Sequence, residues 1–138
     1  MLNSVDMKAT LIQCTKSKRS ETCRAKDLYD ESTYFCKLRE WAESRGQPWY
    51  ILSAKHGLVA PNEFIEPYNE FGLSKSQAIE IALLLRNTFD AVDICAGEKY
   101  TKHLIPELKN DGIEVKNHFA GKGIGERMSL LKESTNDV

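Results

Sequence analysis

The sequence predicts an α/β protein of three layers, α/β/α, with a mainly parallel sheet of about four strands. Three observations predict it. Short apolar or β-branched runs alternate four times with longer helical patterns. Glycines and turn residues separate the segments. A chain of 138 residues is long enough to bury one substantial core without a metal or disulfide to hold it. A single domain is expected over 7–133, with flexible ends at 1–6 and 134–138.

Residues 9–13 (ATLIQ) are a short apolar run and read as the first strand. A polar stretch, 15–26, follows. Residues 27–45 read as one helix with Leu28, Phe35, Leu38 and Trp41 facing inward, stopped by Gly46. Residues 49–52 (WYIL) are a second strand, aromatic and β-branched. Ser53-Ala54-Lys55-His56-Gly57 is a turn in which Gly57 supplies a positive φ. Residues 61–73 carry Pro61, Pro67 and Gly72 and read as irregular. Ser74 opens the next helix, and Gln77 completes a capping box. That helix, to about Phe89, is apolar on nearly every side, which predicts deep burial. Residues 91–96 (AVDICA) are a third strand, and 98–109 a helix whose last turn Pro106 can distort. After the turn Asn110-Asp111-Gly112, residues 113–118 alternate as a fourth strand. The glycine-rich stretch GKGIGER then leads into a last helix.

Nineteen basic residues balance twenty acidic ones, so a generally basic nucleic-acid coat is excluded while a local basic patch is not. No run of about 18 apolar residues predicts a membrane span, and MLNSVDMKAT lacks the apolar core of a signal peptide. Cys14, Cys23, Cys36 and Cys95 show no metal-ligand spacing, so neither metal nor cofactor is expected. Unpaired thiols suit the cytoplasm.

Ligands of open α/β sheets bind beyond the carboxyl ends of the strands, and four unusual segments fall there. The first, Cys14-Thr15-Lys16-Ser17-Lys18-Arg19, opens a stretch with five basic side chains against Glu21 alone. It suits an anion such as phosphate, or is simply a solvated loop. In the second, His56 can transfer a proton, Lys55 can act as a cationic clamp or nucleophile, and Ser53 can hold a ligand oxygen. Alternatively His56 only shapes the turn. The third segment holds Gly97 and Tyr100. The fourth, Gly121-Lys122-Gly123-Ile124-Gly125-Glu126, can offer backbone N–H groups to an anion at a helix start, or let the last helix pack closely. It matches neither the P-loop nor the dinucleotide fingerprint. Tyr68, on the 61–73 loop, can stack on a base or lock the loop down. Cys14 reads either as a reactive thiol beside lysines or as a buried filler. His118, near the end of the fourth strand, is a candidate to face the cleft.

LIQCTKSK, the DLY of Asp27-Leu28-Tyr29, YILSAKHGLVAPNEFIEPY, CAGEKY and GKGIGERMSLL together resemble the DUF6884 domain family, across about 9–132. The ILSAKHGL…P…I-x-P-Y block also looks like part of the YaaA peroxide-stress proteins, described as DNA-binding. The C-[ST]-x-x-K start is similar to one domain of archaeosine synthase, which handles a deazaguanine base. The resemblance implies a uracil-DNA-glycosylase-like fold and nucleobase or nucleic-acid chemistry. The water-activating Asp of the best-known glycosylases has no counterpart in Cys14-Thr15-Lys16, and no Pro and Ser follow His118. Simple uracil excision is therefore not expected.

The expected function is binding of a nucleotide, nucleobase or nucleic acid in the strand-end cleft, with glycosylase- or hydrolase-like chemistry. Lys55, His56 and Lys18 are the candidate catalytic groups. The candidate ligand contacts are Cys14, Thr15, Lys16, Ser17, Tyr29, Ser53, Tyr68, Gly97, Tyr100, Gly121, Lys122, Gly123, Gly125 and Glu126. The alternatives are a DNA- or RNA-binding accessory or stress protein without chemistry, and a sensor of a small nucleotide signal.

Overall fold

The computed structural model describes residues 7–135; of the flexible ends expected at 1–6 and 134–138, residues 1–6 and 136–138 lie outside the described residues, while 134–135 are the last residues of a helix. Four parallel strands and one antiparallel edge strand make the main sheet. They are β1 (Lys8–Gln13), β3 (Trp49–Ser53), β4 (Gly57–Val59), β6 (Ala91–Cys95) and β7 (Glu114–Asn117), in the order β4-β3-β1-β6-β7. β1 pairs in parallel with β3 and β6, β6 with β7, and β4 runs antiparallel to β3. A second, two-stranded ribbon pairs β2 (Cys23–Arg24) with β5 (Phe64–Ile65).

The helices are α1 (Ala25–Leu28), α2 (Thr33–Ser44), α3 (Lys75–Arg86), α4 (Glu98–Asn110) and α5 (Ile124–Thr135). α2 packs on α5, and α3 on α4. Strand alternation puts the two pairs on opposite faces. Asp93 and its partner Thr10 face α2, whose C-terminal Arg45 reaches Asp93. Leu11 and Tyr50, one residue along, face the other way, where Phe89 at the end of α3 meets Tyr50. The sheet is thus sandwiched, and Leu11, Ile12, Ile51, Leu52 and Ile94 are fully enclosed. Each such side chain contributes about 1.5–3 kcal/mol of apolar burial.

Four sequence expectations change. The helix expected over 27–45 is two helices, because the Ser32 hydroxyl accepts the Phe35 N–H and starts α2 afresh. The turn after β3 continues into β4, a fifth strand on a tight hairpin. The irregular stretch 61–73 contains β5, which ties it to the polar loop 15–26 through β2. α3 is not buried all round: Ile79, Leu83 and Leu84 reach solvent, because only the stripe of Ala78, Ile81, Ala82 and Leu85 meets the core. The capping box stands, with Ser74 Oγ accepting the Gln77 N–H at 3.2 Å and Gln77 Oε1 accepting the Ser74 N–H at 2.9 Å. Among the described residues no helix is long and apolar enough to cross a membrane.

Candidate functional site

The chain goes from β1 outward to β3, then returns past β1 to β6. The strand order therefore reverses between β1 and β6, where open α/β sheets form a crevice at their carboxyl ends. Gln13 ends β1 there. Its Oε1 accepts the Gly97 N–H at 2.6 Å, and its Nε2 donates to the Cys14 carbonyl at 3.2 Å. Arg127 of α5 closes the same spot. A side chain added at Gly97 would begin 3.2 Å from its guanidinium. Arg127 Nε is fixed by the Lys122 carbonyl at 2.9 Å.

Beside this crevice lies a network of buried hydroxyls and one thiol. The ribbon β2–β5 folds the 15–26 loop against the 61–68 segment, which brings Lys18 over Tyr68. The Tyr29 and Tyr68 hydroxyls are 2.5 Å apart, and Ser53 Oγ donates to Tyr68 at 2.9 Å while accepting the His56 N–H at 3.0 Å. Cys14 Sγ and the Tyr100 hydroxyl are 3.1 Å apart. Burial pushes the phenols of Tyr29, Tyr68 and Tyr100 well above their ordinary value. All three are neutral at physiological pH and serve as hydrogen-bonding groups.

Lys18 lids this network. Its Nζ sits 4.4 Å from the Tyr68 ring centroid and 5.8 Å from that of Tyr29, and donates to the Lys16 carbonyl at 3.1 Å. Desolvation lowers its pKa, while Cys14 and Glu70 pull it back up. Thr15 Oγ1 contacts the Ser17 carbonyl at 3.4 Å, and Lys16 and Ser17 are exposed. Arg19 is spent on the loop itself. It pairs through two contacts with Asp30, one at 2.8 Å.

Lys55 and His56 share one neighbour. Lys55 Nζ meets Glu66 Oε1 at 3.3 Å, and His56 Nε2–H donates to the Glu66 carbonyl at 3.2 Å. The His56 ring also rests edge-on against Tyr68, 5.3 Å between centroids. So Lys18, Ser53, His56, Tyr29 and Tyr68 form one connected group. Cys14 and Tyr100 adjoin it, and Gly97 joins Cys14 through Gln13.

In the glycine-rich segment Glu126 Oε1 accepts the Gly123 N–H at 3.1 Å, so this one backbone donor is taken up by the chain's own carboxylate. Gly121 and Gly125 are exposed. Of the two roles open to Tyr68, burial favours locking the loop down: the Tyr68 and Tyr100 rings are 8% and 1% exposed, so neither offers an open face. His118 faces away from the crevice, held by Asp93 Oδ1 at 3.0 Å beside Trp41 on the α2 side. Gln13, Glu70 and Arg127 are the residues that sequence reasoning missed. Among the described residues no three His, Cys, Asp or Glu side chains gather as a metal site.

Fold and crevice define an α/β protein whose candidate site lies at the carboxyl edge of a parallel sheet. The chain belongs to the DUF6884 family, described as a family of unknown function, which matches residues 9–133. No curated protein and no solved structure matches the chain.

Proposed function

We propose that this crevice binds a nucleotide, or a base within nucleic acid, and acts on the base or its glycosidic bond with Lys18 as its principal cation. One observation carries the reading. A lysine on the loop that follows central strand β1 is drawn partly out of water, over a tyrosine ring and beside a buried thiol–phenol network. Desolvated cations at strand ends strengthen their hold on anionic groups and on charge that develops during reaction.

The roles follow from position. Arg127, next to Gly97, suits a phosphate. Lys18 suits negative charge developing on the base. The Ser53–Tyr68–Tyr29 chain holds the Lys18 platform rigid. His56, with Nε2–H committed to Glu66, keeps Nδ1 as the ring's basic atom for proton transfer. Helices on both faces of a parallel sheet support the uracil-DNA-glycosylase-like reading of the fold. The ILSAKHGL block supports the likeness to the YaaA proteins. Four free thiols support a cytoplasmic setting.

A second reading is binding without chemistry, as an accessory protein or a nucleotide sensor. It is favoured by Lys55 and His56 both being engaged by Glu66.

The test is a thermal-shift and turnover screen against nucleosides, nucleotides and short oligonucleotides, with Lys18→Ala and His56→Ala. Lys18→Ala is expected to lose ligand-dependent stabilisation while its own melting temperature stays nearly unchanged. His56→Ala is expected to keep binding and lose turnover. Full ligand binding by Lys18→Ala refutes the proposal, and absence of turnover in the parent protein with binding intact selects the second reading.

A further inference from the structure

Phe71 is 55% exposed, yet it is held in place. Its ring meets Tyr100 edge-on at 5.5 Å between centroids. The next two residues are pinned to α4: the Leu73 N–H donates to the Lys99 carbonyl at 3.0 Å, and Gly72 packs against that same carbonyl. A side chain at Gly72 would start 3.1 Å from that oxygen. Phe71 is therefore a fixed aromatic surface facing water, not a loose loop residue.

Phe71 borders a trough of about 460 Å³ between the 70–74 strap and α4. Its other walls include Ser74, Lys99, Lys102 and His103, with Glu70 as the acid. Lys99 Nζ lies 5.4 Å from the Phe71 ring centroid. Glu70 lines the trough and also acts electrostatically on Lys18. Basic groups on the first two turns of α4 thus flank an exposed ring, beside the crevice.

We infer that the trough is an outer subsite for a single strand of nucleic acid, with a base stacked on Phe71 and phosphates on Lys99 and Lys102. Aromatic faces set in basic grooves bind strands in this way, and stacking is tolerant of base identity. The trough is open, whereas sites for free small ligands enclose most of their ligand. A strand sums several modest contacts along its length, which suits an open surface. Lys99 would exchange its contact with the ring for a phosphate. The assignment extends the proposed nucleotide reading to a strand. It rests on that reading for where the strand leads, not for the trough's own affinity.

The experiment measures fluorescence anisotropy of a labelled oligothymidylate of about ten nucleotides across a salt series. Phe71→Ala should weaken binding about tenfold or more, and Phe71→Trp should restore it with quenching of the new indole. The Lys99→Gln/Lys102→Gln variant should weaken binding and flatten the log–log salt slope by about 1.4, roughly 0.7 per lost contact. Melting temperatures should match the parent protein, because these side chains are exposed. The inference is overturned if the parent protein shows no binding at low salt, if Phe71→Ala binds like the parent, or if free thymidine monophosphate competes as well as the strand. Lys18→Ala separates the two claims. If Phe71→Ala loses the strand and Lys18→Ala keeps the nucleotide, the trough stands without the crevice; the reverse pattern removes the trough alone.

Discussion

Lys18 and Tyr68 face each other at 4.4 Å, ammonium to ring centroid, although fifty residues separate them in sequence. The ring gives the cation an attractive face while shielding it from water. The ribbon β2–β5 makes the meeting possible, by laying the cationic loop along the segment that carries Tyr68.

Lys18 should titrate below the ordinary lysine value, because desolvation outweighs the pull of Cys14 and Glu70. NMR of the reductively ¹³C-methylated protein, with Lys18→Arg to assign the signal, would show it. A Lys18 signal at the ordinary value of 10.5 would remove the desolvation argument.

Tyr29, Tyr34, Tyr68 and Tyr100 should stay un-ionised until the protein unfolds in alkali. Burial raises all four above the ordinary value of 10.0. The unfolded chain therefore loses these protons first. The stability involved is complete below about pH 10 and declines as pH rises further. Tyrosinate absorbance from these four should coincide with loss of the far-ultraviolet dichroism. Ionisation of all the tyrosines near pH 10 with the fold intact would contradict it.

Ser53→Ala should destabilise by about 1–3 kcal/mol. It leaves the His56 N–H without its acceptor and Tyr68 without one hydrogen-bond partner. Urea denaturation is the measurement. A loss below about 0.5 kcal/mol, the scale of a surface change, would mean that water replaces the hydroxyl.

Gly72→Ala should cost more than Gly57→Ala. Both glycines have positive φ, +82° and +75°, so both substitutions strain the backbone. Only at Gly72 does the new methyl also press on a backbone oxygen; at Gly57 nothing lies within 4 Å. Equal losses in paired thermal melts would show that the strap is free to shift away from α4.

Asp93→Asn should flatten the acid limb of the stability curve and cost about 1–3 kcal/mol near neutrality. Burial pushes the Asp93 carboxyl up, but His118 and Arg45, at 3.0 and 2.8 Å, hold it below its ordinary value of 3.8. Its contribution is present above pH 3.8 and is lost as pH falls through the lower folded value. Matching acid limbs for parent and variant would dismiss the Asp93 contacts as a source of stability.

Local signals were legible where one short segment decides the outcome. Ser74 and Gln77 announced their capping box, and the apolar runs announced four of the strands. Ser32 carried the same type of signal as Ser74, but a continuous apolar stripe from Leu28 to Trp41 masked the break. β2, β4 and β5 have two or three residues each, too few for any periodicity to show. The site was legible as a set of strand ends, because the alternation fixes where the ends fall. Its interior was not. Tyrosine is equally at home in a core or on a surface, so only tertiary packing reveals that Tyr68 and Tyr100 are buried while Phe71 is open. Gln13, Glu70 and Arg127 gain their meaning from partners far along the chain, which no local pattern encodes.

The amide of Gln13 fastens the start of α4 to the end of β1 through a single bond to Gly97. The end of β1 and the start of α4 are therefore tied across the switch point before anything binds. A guest that fits loses little freedom in the host on arrival, and one that is too broad meets resistance from the sheet itself.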